Sequence, residues 1–213
     1  MSTAAQTTLA DGLARLQLEL PPETQQKLLD YVALVQKWNK VYNLTAVRET
    51  DKILTHHLLD SLAVVPHVAN ATTILDVGSG AGLPGIPLAL ALPQAQITLL
   101  DSNQKKTAFL HQALIELQLR NAGVVCERAE KYQSNQLFSV VVSRAFSDLA
   151  AFVAQAGRLV APGGTLLAMK GVHPADEIAQ LTGGESEFTL SGVTSLSVPG
   201  LDAERHLVFL KAA

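Results

Sequence analysis

Apolar residues follow a helical spacing in the first third of the chain. Between Leu28 and Trp38 they return every three or four positions, which predicts one buried helix face. A second pattern of this kind covers residues 51–65. We therefore expect residues 1–70 to form a helical extension that packs on the rest of the chain.

From residue 72 onward, short apolar blocks alternate with helical patterns. The predicted helices in this part cover residues 103–119 and 149–160. The predicted strands are 74–77, 97–100, 124–126, 140–142 and 165–169. This alternation indicates a mainly parallel sheet with helices on both faces.

The regular alternation of strand and helix patterns ends after Gly171. A helix is predicted over 174–181, and two strands are predicted over 188–198 and 206–210. These strands can add an antiparallel edge to the parallel sheet. The expected fold is thus a doubly wound, Rossmann-like α/β domain over 71–213, with the N-terminal helices in the same structural unit.

Composition narrows the class of protein. With 213 residues, 48% of them apolar, the chain is long enough for one well-packed α/β domain. The net charge of -3 argues mildly against a nucleic-acid partner but leaves room for a local basic strip. Cys126 is the single cysteine, and we expect it to be an inert core residue. With no secretory or membrane-spanning pattern in view, we expect a cytoplasmic protein without membrane contact.

A glycine-rich loop follows the first predicted strand over residues 76–82. Glycines let a backbone approach a ligand closely, so a ligand should bind at the carboxyl ends of the strands. Asp101 ends the second strand about 20 residues later, where a ribose-binding acid belongs. Because Gly80, Gly82 and Gly85 also satisfy the dinucleotide pattern, the glycines leave both a nicotinamide dinucleotide and S-adenosylmethionine open.

Further features favour S-adenosylmethionine. The carboxylate of Asp76, just before the glycines, would attract a cationic cofactor and repel a pyrophosphate. A Pro-Gly-Gly turn over 162–164 precedes the fifth strand, a pattern associated with methyltransferases. The predicted antiparallel C-terminal strands also fit the sheet of these enzymes. Over 72–213 the chain resembles class I S-adenosylmethionine-dependent methyltransferases.

Several stretches carry a narrower resemblance. They are KWNKVYNLTAVR (37–48), HLLDS (57–61), DVGSGAGLPGIP (76–87), SRAF (143–146) and LDAERHL (201–207). In this order they resemble the ribosomal RNA small subunit methyltransferase G family, also called glucose-inhibited division protein B. The resemblance implies methylation of N7 of a guanine in bacterial 16S rRNA, within the small ribosomal subunit. His56 departs from the family pattern, where an arginine is expected.

The resemblance and the class I pattern together assign candidate residues. Arg144 is expected to position substrate and cofactor. The expected cofactor contacts are Asp76, Gly78, Gly80, Gly82, Leu83, Asp101, Ala129, Glu130 and Arg144. The candidate substrate contacts are His57, Asp60, Lys170 and Arg205.

Alternatives stay open for several of these residues. His57 and Asp60 lie on one helix face and could equally form a polar network that pins the helices to the core. No further ligand cluster accompanies them, so we expect no metal site. Near Trp38, the bases Lys37, Lys40 and Arg48 indicate either an RNA patch or an ordinary charged helix; for Trp38 we expect a core position.

The expected chemistry needs little help from protein groups. Guanine N7 carries a free lone pair and loses no proton on methylation, so no general base is required. The chain also lacks an Asn/Asp-Pro-Pro-aromatic motif and a Pro-Cys nucleophile. The other functions considered are a small-molecule methyltransferase and a nicotinamide-dependent oxidoreductase.

Overall fold

The computed structural model describes residues 2–182 and 187–212. The helices are α1 (Thr3–Arg15), α2 (Pro22–Tyr42), α3 (Thr50–Ile53), α4 (Asp60–Leu62), α5 (Val65–Val68), α6 (Gly85–Ala91), α7 (Gln104–Glu116), α8 (Leu149–Ala156) and α9 (Ala175–Thr182). The strands are β1 (Thr73–Val77), β2 (Gln96–Asp101), β3 (Ala122–Cys126), β4 (Phe138–Ser143), β5 (Val160–Lys170), β6 (Phe188–Ser195) and β7 (His206–Ala212).

The strands form one sheet in the order β3-β2-β1-β4-β5-β7-β6. Strands β1 to β5 run parallel, while β7 is antiparallel to both β5 and β6. The predicted parallel sheet with an antiparallel C-terminal edge is confirmed. The strand order reverses beside β1, so the chain leaves β1 and β4 in opposite directions and opens a crevice at their carboxyl ends.

The N-terminal helices share a hydrophobic core with one face of this sheet. Leu9 of α1, Leu28 of α2 and Leu58 belong to the same buried cluster as Ile97 of β2 and Phe109 of α7. The opposite face packs on a second cluster. It contains Leu75, Val141, Phe152 and Leu166 among others. The N-terminal helices are thereby packed on the side of the sheet that also carries α6 and α7.

The second helical pattern forms a broken helix rather than one continuous α-helix. A π-helical segment, Leu54–Leu59, joins α3 to α4, so the helix takes up an extra residue before Asp60. Trp38 of α2 is partly buried and packs edge-on against Phe109, with ring centroids 5.7 Å apart. Among the described residues, no helix is both long and apolar enough to cross a bilayer.

Other boundaries also differ from the predictions. Helix α8 ends at Ala156, and β5 already begins at Val160, because the Pro-Gly-Gly turn is absorbed into an irregular stretch of strand pairing. The sequence pattern gave no signal for α6, whose Pro87 is tolerated because it lies in the first helical turn. The prediction of a buried Cys126 is wrong: it is exposed, since it ends β3, the outermost strand on that side of the sheet.

Candidate active site

The glycine loop leaves β1 in a conformation that other residues rarely adopt. Gly78, Gly80 and Gly82 have φ angles of 74°, 58° and 87°. The N–H groups of Gly78 and Ser79 donate to the carbonyl oxygen of Leu100 on the neighbouring strand, at 2.8 and 3.1 Å. A Cβ atom on Gly78 would lie 2.7 Å from the Cβ of Ala145. The loop is therefore held close to the chain that follows β4, and a side chain at Gly78 would be strained.

Asp101 connects the glycine loop to the start of α7. Its Oδ2 accepts a hydrogen bond from Gly80 N at 2.8 Å, and its Oδ1 accepts one from Asn103 N at 2.8 Å. The cap of α7 is Asn103, whose side chain accepts from the backbone of Lys105 and Lys106. A carboxylate has about four acceptor positions, so Asp101 keeps capacity for a ligand.

A cavity of about 280 Å³, here called the strand-edge cavity, lies at the carboxyl ends of β1 to β4. It brings together four of the predicted cofactor residues. These are Gly78, Asp101, Ala129 and Glu130. Ala129 is buried and its carbonyl oxygen accepts a hydrogen bond from Arg158 at 2.7 Å, whereas Glu130 is exposed at the rim.

A second cavity of about 140 Å³, the loop cavity, adjoins the first. Both are lined by Gly78 and Ala145. The loop cavity adds the predicted residues Gly80, Leu83 and Arg144. Leu44 and Thr45, from the connection after α2, close it from the other side, a contribution that the sequence did not indicate.

Asp76 and Gly82 line neither cavity. Asp76 is fully buried behind the loop, where its Oδ2 accepts from Gly85 N at 2.9 Å. No donor from the described part of the chain reaches its Oδ1. Burial raises the pKa of Asp76 to about 7, although the Gly85 N–H opposes the shift. Gly82 serves packing, since a Cβ there would lie 2.5 Å from the side chain of Ile86.

A third cavity of about 400 Å³, the arginine cavity, continues from the loop cavity. Arg144 lines both. The other residues that line the arginine cavity are Val47, His56, His57, Asp60, Met169, Lys170, Gly171 and Arg205. The strand-edge and loop cavities thus share Gly78 and Ala145, and the loop and arginine cavities share Arg144.

Asp60 forms ion pairs with two arginines that line the arginine cavity. Its Oδ2 lies 3.2 Å from Nη1 of Arg144, and its Oδ1 lies 2.9 Å from Nε of Arg205. The Asp60 side chain is 2% exposed, whereas both guanidinium groups reach the arginine cavity. The structure agrees with the polar network, because Asp60 ties the helices to the core through Arg144 and Arg205, whereas a role of this helix face in substrate contact stays a prediction.

His57 is placed beside Arg144 but is poorly suited to accept a proton. Its Nε2 lies 2.6 Å from Oγ1 of Thr45, and its Nδ1 lies 2.9 Å from the carbonyl oxygen of His56. Burial, together with the positive charge of Arg144, lowers the pKa of His57 to about 4. At neutral pH the imidazole is uncharged and both of its nitrogens are engaged.

The expectation that Lys170 contacts RNA does not agree with its geometry. Lys170 is largely buried, and its Nζ donates to the carbonyl oxygens of Phe146 and Ser147 and to Oε2 of Glu177, at 3.2, 3.0 and 2.7 Å. An ammonium group has three N–H donors, so all of them are used. The arrangement assigns Lys170 to fixing the chain that follows β4.

Tyr31 of α2 is a site residue that sequence reasoning missed. Its hydroxyl donates to the carbonyl oxygen of Ala81 in the glycine loop at 2.7 Å, and the side chain is fully buried. Burial raises the pKa of Tyr31, so the hydroxyl keeps its proton. A signal was present in the sequence: Tyr31 lies in the apolar stripe of α2, and a buried phenol requires a hydrogen-bond partner.

Comparison with known proteins decides the family. The family model described as rRNA small subunit methyltransferase G matches residues 24–208. The chain belongs to this family. A relative named ribosomal RNA small subunit methyltransferase G, from Nitrosospira multiformis, is 55% identical over 97% of both chains.

Solved structures similar to this member of the rRNA small subunit methyltransferase G family agree with the fold. A SAM-dependent methyltransferase from Aquifex aeolicus has a TM-score of 0.61 at 16% identity and covers 83% of this chain and 97% of its own. The glycopeptide N-methyltransferase MtfA, solved in complex with S-adenosylmethionine, has a TM-score of 0.60 at 14% identity and covers 74% and 94%. At these identities the likeness concerns the class I methyltransferase fold.

Proposed function

We propose that this chain transfers a methyl group from S-adenosylmethionine to N7 of a guanine in bacterial 16S rRNA, in the cytoplasm and within the small ribosomal subunit. The observation that carries the proposal is that the three cavities adjoin one another through shared lining residues. Gly78 and Ala145 lie between the strand-edge and loop cavities, and Arg144 lies between the loop and arginine cavities. A cofactor that extends into the loop cavity and a target base in the arginine cavity would both lie beside Arg144.

The residues present fit S-adenosylmethionine. In the strand-edge cavity, Asp101 offers acceptors to a ribose and the Ala129–Glu130 pair offers contacts to an adenine. In the loop cavity, the glycine backbone leaves space where a Cβ would crowd the wall. The buried carboxylate of Asp76, with one oxygen lacking a donor from the described residues, favours a cationic ligand over a pyrophosphate. The relation to MtfA, solved with S-adenosylmethionine, supports the same cofactor.

The protein's task in the reaction is alignment. When bound, S-adenosylmethionine supplies a methyl group already activated on a sulfonium sulfur. Arg144, held by Asp60 at the border of two cavities, orients the groups on either side of it. Fixing two reactants in line converts the reaction into an effectively unimolecular step.

The polar groups around the arginine cavity favour a reaction without a proton acceptor. His57 is neutral and engaged at both nitrogens, and Asp60 accepts from two arginines. Lys170 spends its donors on Glu177 and on backbone carbonyl groups. Guanine N7 attacks with a free lone pair, so these engaged groups do not hinder its methylation.

Methyl transfer to ribosomal particles tests the proposal. Purified small subunits lacking the modification, large subunits and buffer alone are incubated with the enzyme and S-adenosylmethionine labelled with tritium in the methyl group. We expect label in the RNA of the small subunits only. Absence of label from the small subunits, together with binding of S-adenosylmethionine in a calorimetric titration, would favour a small-molecule substrate; binding of a nicotinamide dinucleotide instead would favour an oxidoreductase.

A further inference from the structure

We propose that a basic groove on the N-terminal helices binds a phosphate group of the rRNA backbone and so docks the RNA beside the arginine cavity. The basic groove is a cavity of about 330 Å³ lined by Gln36, Asn39, Lys40 and Arg48. The inference rests on the proposed function, because it takes the RNA as the substrate of the neighbouring site.

The charge of the groove is not neutralised within the described part of the protein. Lys40 and Arg48 are both exposed, and neither forms a salt bridge with a described acidic side chain. Glu49, the acidic residue adjacent to Arg48, is paired with Lys52 at 2.8 Å. In a chain with a net charge of -3, two unpaired cations around one concave surface form a local site for an anion.

The floor of the groove is preorganised by neutral amides. Buried Asn39 donates to the carbonyl oxygen of Val47 at 3.2 Å and accepts from Thr45 N at 2.9 Å. Gln36 donates to the hydroxyl of Thr50. These bonds fix the connection after α2 against the helix, so the backbone that carries Arg48 is held in place before any ligand arrives.

The same connection forms a wall of the methyl-transfer site. Leu44 and Thr45 line the loop cavity, Val47 lines the arginine cavity, and Arg48 lines the basic groove. Val47 and Arg48 are consecutive, so their Cα atoms are about 3.8 Å apart. A phosphate bound by Arg48 is therefore held by a segment whose preceding residue, Val47, lines the cavity proposed for the target base.

The location of the groove favours RNA over an acidic protein segment as its occupant. The groove is lined by Asn39 and Lys40, whereas the stack of Trp38 on Tyr42, with ring centroids 5.2 Å apart, does not line it. Arg48 directly follows Val47, which lines the cavity proposed for the target base. We therefore assign the anion in the groove to a phosphate of the RNA that presents that base.

Removal of both positive charges tests the groove. The double variant Lys40→Gln/Arg48→Gln should raise the KM for small subunits by roughly tenfold at physiological salt, with little change in kcat at saturating subunits. The slope of log KM against log salt should fall by about 1 to 2, as expected when up to two phosphate contacts are lost. The Kd for S-adenosylmethionine should not change, because neither residue lines the strand-edge or loop cavity.

The matched control removes the same charge far from the site. Arg120→Gln/Lys211→Gln changes two exposed cations at the amino ends of the parallel strands. Arg120 lies just before β3, and Lys211 lies near the end of the antiparallel strand β7. A double groove variant with the KM and salt slope of this control would overturn the proposal, provided that the wild-type enzyme methylates small subunits. A wild-type enzyme without that activity would instead contradict the proposed function.

Filter binding of 16S rRNA gives a readout that does not depend on methyl transfer. The groove variant should bind the RNA more weakly and with a lower salt slope than the wild type and the control. Unchanged RNA affinity would contradict the proposal. Unchanged RNA affinity with lost binding of a polyglutamate peptide would assign the groove to an acidic protein instead.

Discussion

Asp60 and Arg144 are 84 residues apart in sequence, yet Oδ2 of Asp60 and Nη1 of Arg144 lie 3.2 Å apart in the folded protein. Asp60 comes from the N-terminal helices, whereas Arg144 directly follows β4 at the carboxyl edge of the sheet. The contact therefore exists only when the helices are packed on the sheet. It couples the assembly of the fold to the position of an arginine that lines two cavities.

Loss of the Asp60 carboxylate should release both arginines. Asp60→Ala is expected to lower kcat for methyl transfer roughly 10- to 100-fold, because Arg144 is no longer held in place. Stability should fall by about 1–3 kcal/mol, the cost of leaving buried polar partners unmatched. Steady-state kinetics and urea unfolding measure the two effects. Asp51→Ala, an exposed position on α3, is the control; equal kinetics for the two variants would refute a positioning role for Asp60.

Tyr31→Phe should weaken cofactor binding from a distance. The substitution removes the donor to the Ala81 carbonyl and leaves that oxygen unmatched, which costs about 1–3 kcal/mol. Because Ala81 lines the loop cavity, part of this loss should appear as a higher Kd for S-adenosylmethionine in calorimetry. Tyr42→Phe, which changes an exposed phenol on the same helix, should leave the Kd unaltered. If Tyr31→Phe lowers the melting temperature but not the cofactor affinity, the tyrosine supports only the fold.

The strand-edge cavity predicts which substitutions abolish cofactor binding. Gly78→Val should prevent measurable binding of S-adenosylmethionine, since the residue has a φ of 74° and its Cβ would collide with Ala145. Asp101→Ala should weaken binding by about 1–3 kcal/mol through the loss of a hydrogen-bonding group. Gly192→Ala, at a position open to a methyl group, is the control for glycine replacement. If Gly78→Val and Asp101→Ala both bind S-adenosylmethionine as the wild type does, the cofactor does not bind in the strand-edge cavity.

The raised pKa of Asp76 predicts a pH-dependent affinity. Between its ordinary value of 3.8 and about 7, the folded protein holds a proton on Asp76 that the unfolded chain has released, so this group makes stability fall as pH rises. A bound cation favours the ionised carboxylate, so affinity for S-adenosylmethionine should rise with pH and level off above about 7.

Calorimetry at several pH values measures this linkage. From about pH 8 to about pH 6 the affinity of the wild type should fall roughly tenfold more than that of Asp76→Asn, which cannot ionise. Arg144, Asp101 and Tyr31 also act electrostatically near this site, but they are common to both proteins, so the difference reports on Asp76. Parallel pH profiles for the two proteins would show that Asp76 stays charged.

The fold was predictable where local patterns determine it. The sheet followed from apolar blocks of strand length, and the glycine loop followed from spacing that only a tight turn tolerates. The predicted element boundaries were wrong where pairing between strands overrides the local sequence pattern. Val160, for example, belongs to β5 although it precedes the Pro-Gly-Gly turn. The prediction that Cys126 is buried was wrong because an apolar strand pattern does not reveal that the strand lies at the edge of the sheet.

The site was predictable as a set of residues but not as a set of contacts. Gly78, Asp101 and Arg144 were predicted from the resemblance and from their places at or just after strand ends, which meet at one edge of a parallel sheet. The structure places them along cavities at that edge, and their contacts with a ligand stay predictions. The partners of Asp60, and the hydrogen bond of Tyr31 to the loop, depend on how the helices pack. The use of every Lys170 donor depends on the backbone of a distant loop, which residue type alone does not reveal.

The chemical identity of the product tests the central claim most directly. Small subunits lacking the modification are methylated with the purified enzyme and S-adenosylmethionine, and their 16S rRNA is digested to nucleosides and analysed by mass spectrometry against standards. A reaction with Gly78→Val, which is expected to lack measurable cofactor binding, serves as the control for background methylation. The account predicts 7-methylguanosine, formed without loss of a proton in the transfer step. A methyl group on an exocyclic amine, a ring carbon or a ribose would contradict it.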